Sequence, residues 1–348
     1  LKISISLVLL MFFSSMLPFF GNDLIPLKNI NNNFYTDTDG DGLNDSNDPC
    51  PNSQLEWTTH LVDPQVEGSE IALVLDSNEN PIIGYKNTHS SNNDSTGMVS
   101  IMTSQTNNHN VSFVEFHVLT NYNDDQAGKS LSMTIDSNDK LHFSFREIYG
   151  SNNLGIRYYH VDDYSNSFGP IESHTIGQIV TNDMGSSIDL GSNGKVYVAY
   201  YTGTGDQDLM IKSSDIGSGS WYQEFNDNAG HRGLRPSLSI DSTNTIHTSY
   251  HEQSGSGALR YFGGIGTETT VDNSADVGDE SSIALDSNDN PHIAYSDSDN
   301  SDLKYAYKNN NWNIFTIDGQ EGRQAGHYPS IAIDSNNNPH ISYFDGTN

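Results

Sequence analysis

The sequence is almost without cysteine, and this excludes one class of secreted protein. Its 348 residues contain a single cysteine, Cys50. A disulfide framework within the chain is therefore impossible, and Cys50 is either a free thiol or the partner of a cysteine in another chain. We expect packing and bound metal to provide the stability that disulfides give to small extracellular domains.

Positive charge is also scarce. The chain has 15 lysines and arginines against 45 aspartates and glutamates, so that its formal net charge is −30. Such a surface repels phosphate groups, and we expect neither nucleic acid nor an anionic membrane surface as a partner. The acidic residues are spread along the chain and are not collected in a tail, which argues against an acidic disordered appendage.

The chain begins with a long apolar run. Lys2 precedes a mostly apolar stretch, residues 3–20, which ends near Pro18 and Gly21. This pattern is typical of a secretory signal peptide, which we assign to residues 1–21, followed by a linker at 22–36. An uncleaved membrane anchor is the alternative, because the run is almost long enough to span a bilayer. We favour cleavage and predict a secreted or cell-surface protein.

An acidic segment follows the linker, and its spacing suits calcium. Counting Asp37 as position 1, carboxylates fall at positions 1, 3, 5, 9 and 12, with Gly42 at position 6, where the chain must turn. Calcium takes six to eight hard oxygens, and acids at alternate positions can wrap around one ion. A solvated acidic linker would not explain the glycine. The predicted calcium ligands are Asp37, Asp39, Asp41, Leu43 through its carbonyl, Asp45 and Asp48.

The same segment, residues 37–51, resembles a thrombospondin type 3 repeat. The pattern Asp-x-Asp-x-Asp-Gly-x-x-Asp-x-x-Asp-x-Cys-Pro is matched from Asp37 to Pro51. The resemblance implies an extracellular calcium-binding segment in which cysteines pair between successive repeats. The sequence carries one copy, so the pairing of Cys50 stays open.

Internal repetition dominates the remainder of the chain, residues 52–348. Each copy has large apolar residues one and three positions before a central turn residue, the anchor, and an aromatic residue nine positions after it. Period-two alternation on both sides of a turn predicts two antiparallel strands. Six segments align without gaps: residues 71–85, 131–145, 187–200, 237–250, 282–295 and 330–343. Their anchors are Asp76, Asp136, Gly191, Asp241, Asp286 and Asp334.

The spacers between the copies predict two further strands each, for example at 303–307 with 312–317 and at 209–213 with 221–225. Four short strands in each unit are the signature of a β-propeller blade, and we predict an all-β propeller of four-stranded antiparallel blades. Residues 57–63 match 312–318 and are predicted to pair with the last blade and close the ring. The sixth copy lacks its last strands, so that either the sequence is cut short there, which we favour, or the ring has a defective blade.

The repeat resembles a family of secreted bacterial and archaeal repeat proteins. The resemblance lies in units such as Ser-Ile-Ala-Leu-Asp-Ser-Asn-x-Asn-Pro-His-Ile-Ala-Tyr, followed by Leu-Lys-Tyr-Ala-Tyr, and covers residues 57–348. It implies the propeller fold and export from the cell, and it adds little about the ligand.

Two repeated features invite a metal interpretation that we do not favour. The turns at 76–81, 286–291 and 334–339 begin like a calcium loop, but they lack the glycine at position 6 and an acid at position 9. Aspartate and asparagine also close turns through their own backbone, so we interpret these turns as structural. Four histidines share one repeat position on separate blades and are expected to be structural as well: His142, His247, His292 and His340.

Enzyme signatures are mostly absent. His251-Glu252 lacks a second histidine four residues after the first, and no Gly-x-Ser-x-Gly elbow or phosphate loop is present. Sialidase boxes of the form Ser-x-Asp-x-Gly-x-Thr-Trp are missing, the nearest approach being residues 239–243. These observations favour a protein without catalytic activity.

The loops that precede the first strand of each blade should gather at one mouth of the central channel. They bring several of the scarce positive residues together, which could hold an anionic sugar or a carboxylate. Ordinary solvated charges that neutralise a negative surface are the alternative. The candidate ligand-binding residues are Arg232, Arg235, Arg323, His327 and Tyr328. Glu70, Lys129, His231 and Glu280 lie in the same loops.

We therefore predict an extracellular recognition or adhesion module for protein or glycan. A glycan-active enzyme, either a sialidase-like hydrolase or a polysaccharide lyase with its site at the channel mouth, is the alternative. A structural surface-layer component without any ligand is a third possibility.

Overall fold

The structure is a computed structural model, and the chain divides into two units, Leu1–Pro64 and Gln65–Asn348. It describes residues 68–78, 80–87, 98–107, 110–118, 129–149, 153–162, 171–178, 185–203, 208–227, 231–263, 267–319 and 324–346. The predicted signal peptide, linker, calcium segment and closing strand at 57–63 lie outside these residues. In the parts of the chain that are described, no helix is long and apolar enough to cross a membrane.

Among the described residues, twenty-two β-strands form five four-stranded sheets and one two-stranded sheet, which we call blades A to F in chain order. Blade A contains β1 (Gly68–Leu75), β2 (Pro81–Asn87), β3 (Met98–Asn107) and β4 (Asn110–Val118). Blade B contains β5 (Lys129–Ile135), β6 (Leu141–Tyr149), β7 (Asn153–Val161) and β8 (Ile171–Gln178). Blade C contains β9 (Ser186–Leu190), β10 (Lys195–Tyr201), β11 (Leu209–Asp215) and β12 (Tyr222–Asn226).

Blade D contains β13 (Arg232–Ile240), β14 (Ile246–Glu252), β15 (Ala258–Gly263) and β16 (Thr267–Asp272). Blade E contains β17 (Val277–Leu285), β18 (Pro291–Asp297), β19 (Asp302–Asn309) and β20 (Asn311–Asp318). Blade F contains β21 (His327–Ile333) and β22 (Pro339–Phe344). Neighbouring strands pair antiparallel in chain order within every blade. The all-β architecture and the repeated hairpins are therefore confirmed, and so are the spacer strands of blades C and E.

The hydrophobic core lies between consecutive blades. The apolar residue three positions before each anchor packs there, and it is only 5–8% exposed in blades B to F. The aromatic residue nine positions after the anchor is fully buried in blades D and E, as Tyr250 and Tyr295. Burying one such side chain contributes about 1.5–3 kcal/mol. The residues at the first of these positions are Met133, Ile188, Leu238, Ile283 and Ile331.

A serine four positions before the anchor joins each blade to the next. The Ser237 hydroxyl accepts a hydrogen bond from the backbone N–H of Ile283 at 3.1 Å, and Ser282 accepts one from Ile331 at 3.2 Å. Ser132 and Ser187 accept equivalent bonds from blades C and D. These small hydroxyl residues thus allow first strands of neighbouring blades to approach and also satisfy backbone donors.

The anchor turns form a second connection between blades. Asp286 Oδ1 accepts hydrogen bonds from the backbone N–H groups of Asn288 and Asn290, both at 2.8 Å, which closes the turn. Asp289 has a left-handed φ of 62° and reaches back to Ser242 of blade D, with its carboxylate 3.2 Å from the Ser242 nitrogen and 2.5 Å from its hydroxyl. These bonds give the repeated acidic turns a structural role.

In blades B, D and E, the repeated histidine is buried between a tyrosine and the anchor. Nδ1 of His247 lies 2.7 Å from the Tyr261 hydroxyl, and its Nε2 lies 3.2 Å from Asp241. His292 makes the same contacts in blade E, with Tyr305 at 2.6 Å. Burial, with a smaller effect of His160, lowers the pKa of His142 to about 4, so this ring is neutral near pH 7. The predicted structural role agrees with these contacts.

Candidate functional site

A β-bulge changes the direction of the side chains near the start of the first strand in most blades. The register shifts between Ser69 and Ile71 in blade A, and equivalent shifts occur in blades B, D, E and F. A bulge bends a strand and turns side chains toward a new direction. Through these bulges, the residues six and seven positions before the anchor leave the repeating pattern of the sheet.

The residue six positions before the anchor adopts a left-handed backbone in most blades. Its φ is 56° at Glu70, 56° at Ser130, 45° at Arg235 and 50° at Tyr328. For a residue with a side chain this conformation costs about 1–2 kcal/mol, and such costs concentrate where function requires them. Glycine takes the position in blade C as Gly185, with a φ of 82°.

This strained position also differs chemically from blade to blade. Five of the six copies have serine four positions before the anchor, where the blades pack. Six positions before the anchor, the residues are Glu70, Ser130, Gly185, Arg235, Glu280 and Tyr328. A uniform scaffold that presents different side chains at one position is the arrangement of a recognition surface.

Glycine eight positions before the anchor holds this segment close to the preceding blade. Gly233 has a φ of 103°, and a Cβ atom there would lie 2.5 Å from Leu209 of blade C. Gly326 has a φ of 85°, and a Cβ atom would lie 2.5 Å from the carbonyl oxygen of Asp302. Only glycine permits this approach, and the bulged residues are thereby set against a rigid neighbour.

Six residues of blades D, E and F form the best-defined part of this surface, which we call the rim sector. Arg235 Nη1 forms an ion pair with the Asp279 carboxylate and lies 3.3 Å from the Asp279 carbonyl oxygen. The buried ring of His251 lies beneath, with Nδ1 3.3 Å from Asp279 and Nε2 3.3 Å from Asp276. The rim sector comprises Arg235, Asp276, Asp279, Glu280, His327 and Tyr328.

The pKa of Asp279 is lowered, first by its hydrogen bond with His251 and then, against the opposing effect of burial, by Arg235. This carboxyl group is therefore ionised at neutral pH. Its ion pair with Arg235 joins blade E to blade D.

The next residue, Glu280, joins blade E to blade F. Its carboxylate accepts a hydrogen bond of 2.7 Å from the backbone N–H of Tyr328 and lies 3.7 Å from Nδ1 of His327. The Tyr328 side chain is 75% exposed. Glu70 accepts a similar bond from the N–H of Ser130, at 3.1 Å, between blades A and B. The carboxylate thus fixes the backbone that presents the exposed ring.

The structure places the described ligand-binding candidates in the first strands β13 and β21, and not in preceding loops as predicted, and it separates them. Arg235, His327 and Tyr328 belong to the rim sector, whereas Arg323 lies outside the described residues. Arg232 lies in a charged network within blade D, where its Nε is 2.9 Å from Glu252 and its Nη1 is 3.6 Å from Glu268. Their part in ligand binding stays a prediction.

Sequence reasoning did not select Asp276, Asp279 or His251 as site residues. They lie in different blades from the residues they contact. In a chain rich in aspartate, the neighbouring sequence does not distinguish Asp276 and Asp279 from the other aspartates. The available signal was their position in the repeat, because Asp276 lies ten residues and Asp279 seven residues before the anchor Asp286. Among the described residues, no group of three or more His, Cys, Asp or Glu side chains is arranged to hold a metal ion.

Solved structures of low sequence identity share the fold. An α-L-arabinanase of Penicillium chrysogenum in complex with arabinobiose matches with a TM-score of 0.53 at 10% identity, over 80% of this chain and 93% of that one. A mutant of AofleA from Arthrobotrys oligospora gives 0.51 at 9% identity, over 83% of both chains. The sialidase of Trypanosoma rangeli gives 0.52 at 12% identity, over 84% of this chain and 54% of that one.

No protein-family model matches the chain, and no curated protein does. The β-propeller fold therefore rests on its architecture and on these structural likenesses.

Proposed function

We propose that this protein is a secreted or cell-surface β-propeller that recognises glycans at the rim sector. The observation that supports the proposal most strongly is the position six residues before the anchor, which lies within a register shift in five blades, is left-handed at four residues other than glycine, and differs in chemistry from blade to blade. The fold is similar to that of proteins named as an arabinanase and a sialidase, which is consistent with a glycan as the ligand. Calcium at residues 37–48 is proposed as a structural ion.

Asp279 is a poor candidate for the catalytic acid of a glycosidase, which favours recognition without catalysis at this residue. A glycosidase needs one carboxylic acid with a raised pKa to protonate the leaving group. The pKa of Asp279 is shifted in the opposite direction, and Arg235 and His251 both contact its carboxylate. Such a group is a fixed anion and a poor proton donor.

Binding of the full chain to a printed glycan array tests this proposal. We expect saturable binding that falls at least tenfold in Tyr328→Ala, because the loss of a central aromatic contact costs about 1–2 kcal/mol or more. Tyr222→Ala is the matched control, since Tyr222 is 59% exposed on blade C, away from the rim sector. Equal losses of glycan binding in both variants would show that the binding site is not in the rim sector. Release of sugar from the bound glycans would show that the protein is an enzyme instead.

A further inference from the structure

We infer that the rim sector takes glycans without acidic groups and rejects sialylated, sulfated and uronate-containing ones. This inference rests on the proposed function and narrows it. It reverses the expectation from the sequence, in which the scarce arginines suggested an anionic sugar.

The first argument is the state of the arginines. Arg235 donates to both the carboxylate and the carbonyl oxygen of Asp279, and its positive charge is neutralised there. Arg232 is similarly engaged with Glu252 and Glu268. An acidic sugar would approach a guanidinium whose charge is already compensated by the Asp279 carboxylate, which weakens its attraction for an anion.

The second argument is the net negative charge of the rim sector. The rim sector contains one guanidinium group, Arg235, against three carboxylates, Asp276, Asp279 and Glu280. It belongs to a chain whose formal net charge is −30. Both the local and the overall field repel an anionic ligand, whereas an uncharged one is unaffected.

The third argument is what the sector offers to an uncharged sugar. Carboxylates accept hydrogen bonds from hydroxyl groups, and such charge-assisted bonds are stronger than neutral ones. The Asp276 side chain is 44% exposed, whereas the Glu280 side chain is 16% exposed and has one oxygen bound to the Tyr328 backbone N–H. The exposed Tyr328 ring adds an apolar face on which the C–H groups of a pyranose can pack.

The arrangement makes a gain of binding possible. Replacing Asp279 by asparagine keeps a side chain of the same shape and leaves the guanidinium of Arg235 without its counter-charge. We expect Asp279→Asn to bind sulfated glycans about tenfold more tightly than the native chain, the change for one newly available charge-assisted contact. This new binding should weaken with added salt, because it is electrostatic.

The experiment compares native protein, Asp279→Asn and the control Asp215→Asn on an array of neutral, sialylated, sulfated and uronic-acid glycans. Asp215 is exposed at the end of β11, so its replacement changes the net charge equally without touching the rim sector. Native binding confined to uncharged glycans, with salt-sensitive acidic binding gained only in Asp279→Asn, supports the inference. Native preference for acidic glycans would overturn it and leave the proposed function standing. No binding to any glycan would remove the proposed function itself.

Discussion

The hydroxyl of Tyr295 in blade E donates a 2.8 Å hydrogen bond to a carboxylate oxygen of Asp272, at the end of blade D. Tyr343 of blade F makes the same bond to Asp318 of blade E, at 2.7 Å. Lys304 Nζ lies 2.5 Å from the same oxygen of Asp272, so that a buried cation and a buried phenol share one carboxylate. In blades E and F, the repeated aromatic position therefore links the blade to the preceding one by a polar bond.

Tyr295→Phe tests this link. The variant keeps the ring and removes the bond, and we expect the free energy of unfolding to fall by about 1–2 kcal/mol, the usual effect of deleting a buried hydrogen bond to a charged group. Tyr222→Phe, at an exposed position, should change it by less than about 0.5 kcal/mol. Urea denaturation measures both. Equal stability of the two variants would mean that the Tyr295 hydroxyl contributes nothing.

We expect Gly194→Asp to add a turn contact between blades B and C of the kind that joins blades D and E. Gly194 takes the left-handed turn position with a φ of 75°, where Asp289 of blade E binds Ser242. A Cβ atom at Gly194 would meet nothing within 4 Å, and Ser137 occupies the position equivalent to Ser242. An aspartate there can bind Ser137, which adds about 0.5–1.5 kcal/mol.

The matched variant for that prediction is Gly194→Ala, which bears the cost of the left-handed backbone without gaining a bond. We expect it to be about 1 kcal/mol less stable than the native chain, with Gly194→Asp clearly above it in thermal and urea denaturation. If Gly194→Asp were no more stable than Gly194→Ala, the side-chain contacts of these turns would not stabilise the fold.

Asp189 makes the stability depend on pH. Burial raises its pKa to about 6, although the backbone N–H groups of Ile240 and Leu190 partly oppose this by donating to it, both at 2.8 Å. In the unfolded chain its pKa is about 3.9. The folded state therefore holds this proton more tightly, and the stability it contributes is present below about pH 4 and lost as pH rises through 6.

Asp189→Asn removes this dependence while it keeps an acceptor for the Ile240 N–H. We expect the variant to be roughly 2 kcal/mol more stable than the native chain at pH 8 and no more stable at pH 4. Asp215→Asn, at an exposed site, serves as the charge-matched control. A gain of equal size at both pH values would contradict the assignment of a raised pKa.

Calcium titration of the full chain tests the loop at residues 37–48. We expect saturable heat with a dissociation constant on the order of 10⁻⁴–10⁻³ M, as in extracellular modules, and its loss in the Asp39→Ala and Asp41→Ala double variant. Asp286→Asn, in a propeller turn, should bind as the native chain does. If the double variant still gives saturable heat on addition of calcium, the ion binds elsewhere than in this loop.

The amino-acid pattern determined the repeated hairpins and the blade architecture. Strict alternation around Asp286 and Asp334 predicts paired strands, and the structure pairs Ile283 with Ile293 and Ile331 with Ile341 across these turns. The reason is physical, because period-two burial and turn-forming residues act within fifteen residues of one another.

Only the tertiary structure decided the chemistry of the rim sector. Arg235 and Asp279 are 44 residues apart in sequence, and Glu280 and Tyr328 are 48 apart. Their contacts depend on how consecutive blades pack and on bulges that shift each first strand, which no local pattern encodes. The sequence supplied the arginines of β13, whereas the packing of blade E on blade D placed the Asp279 carboxylate against Arg235.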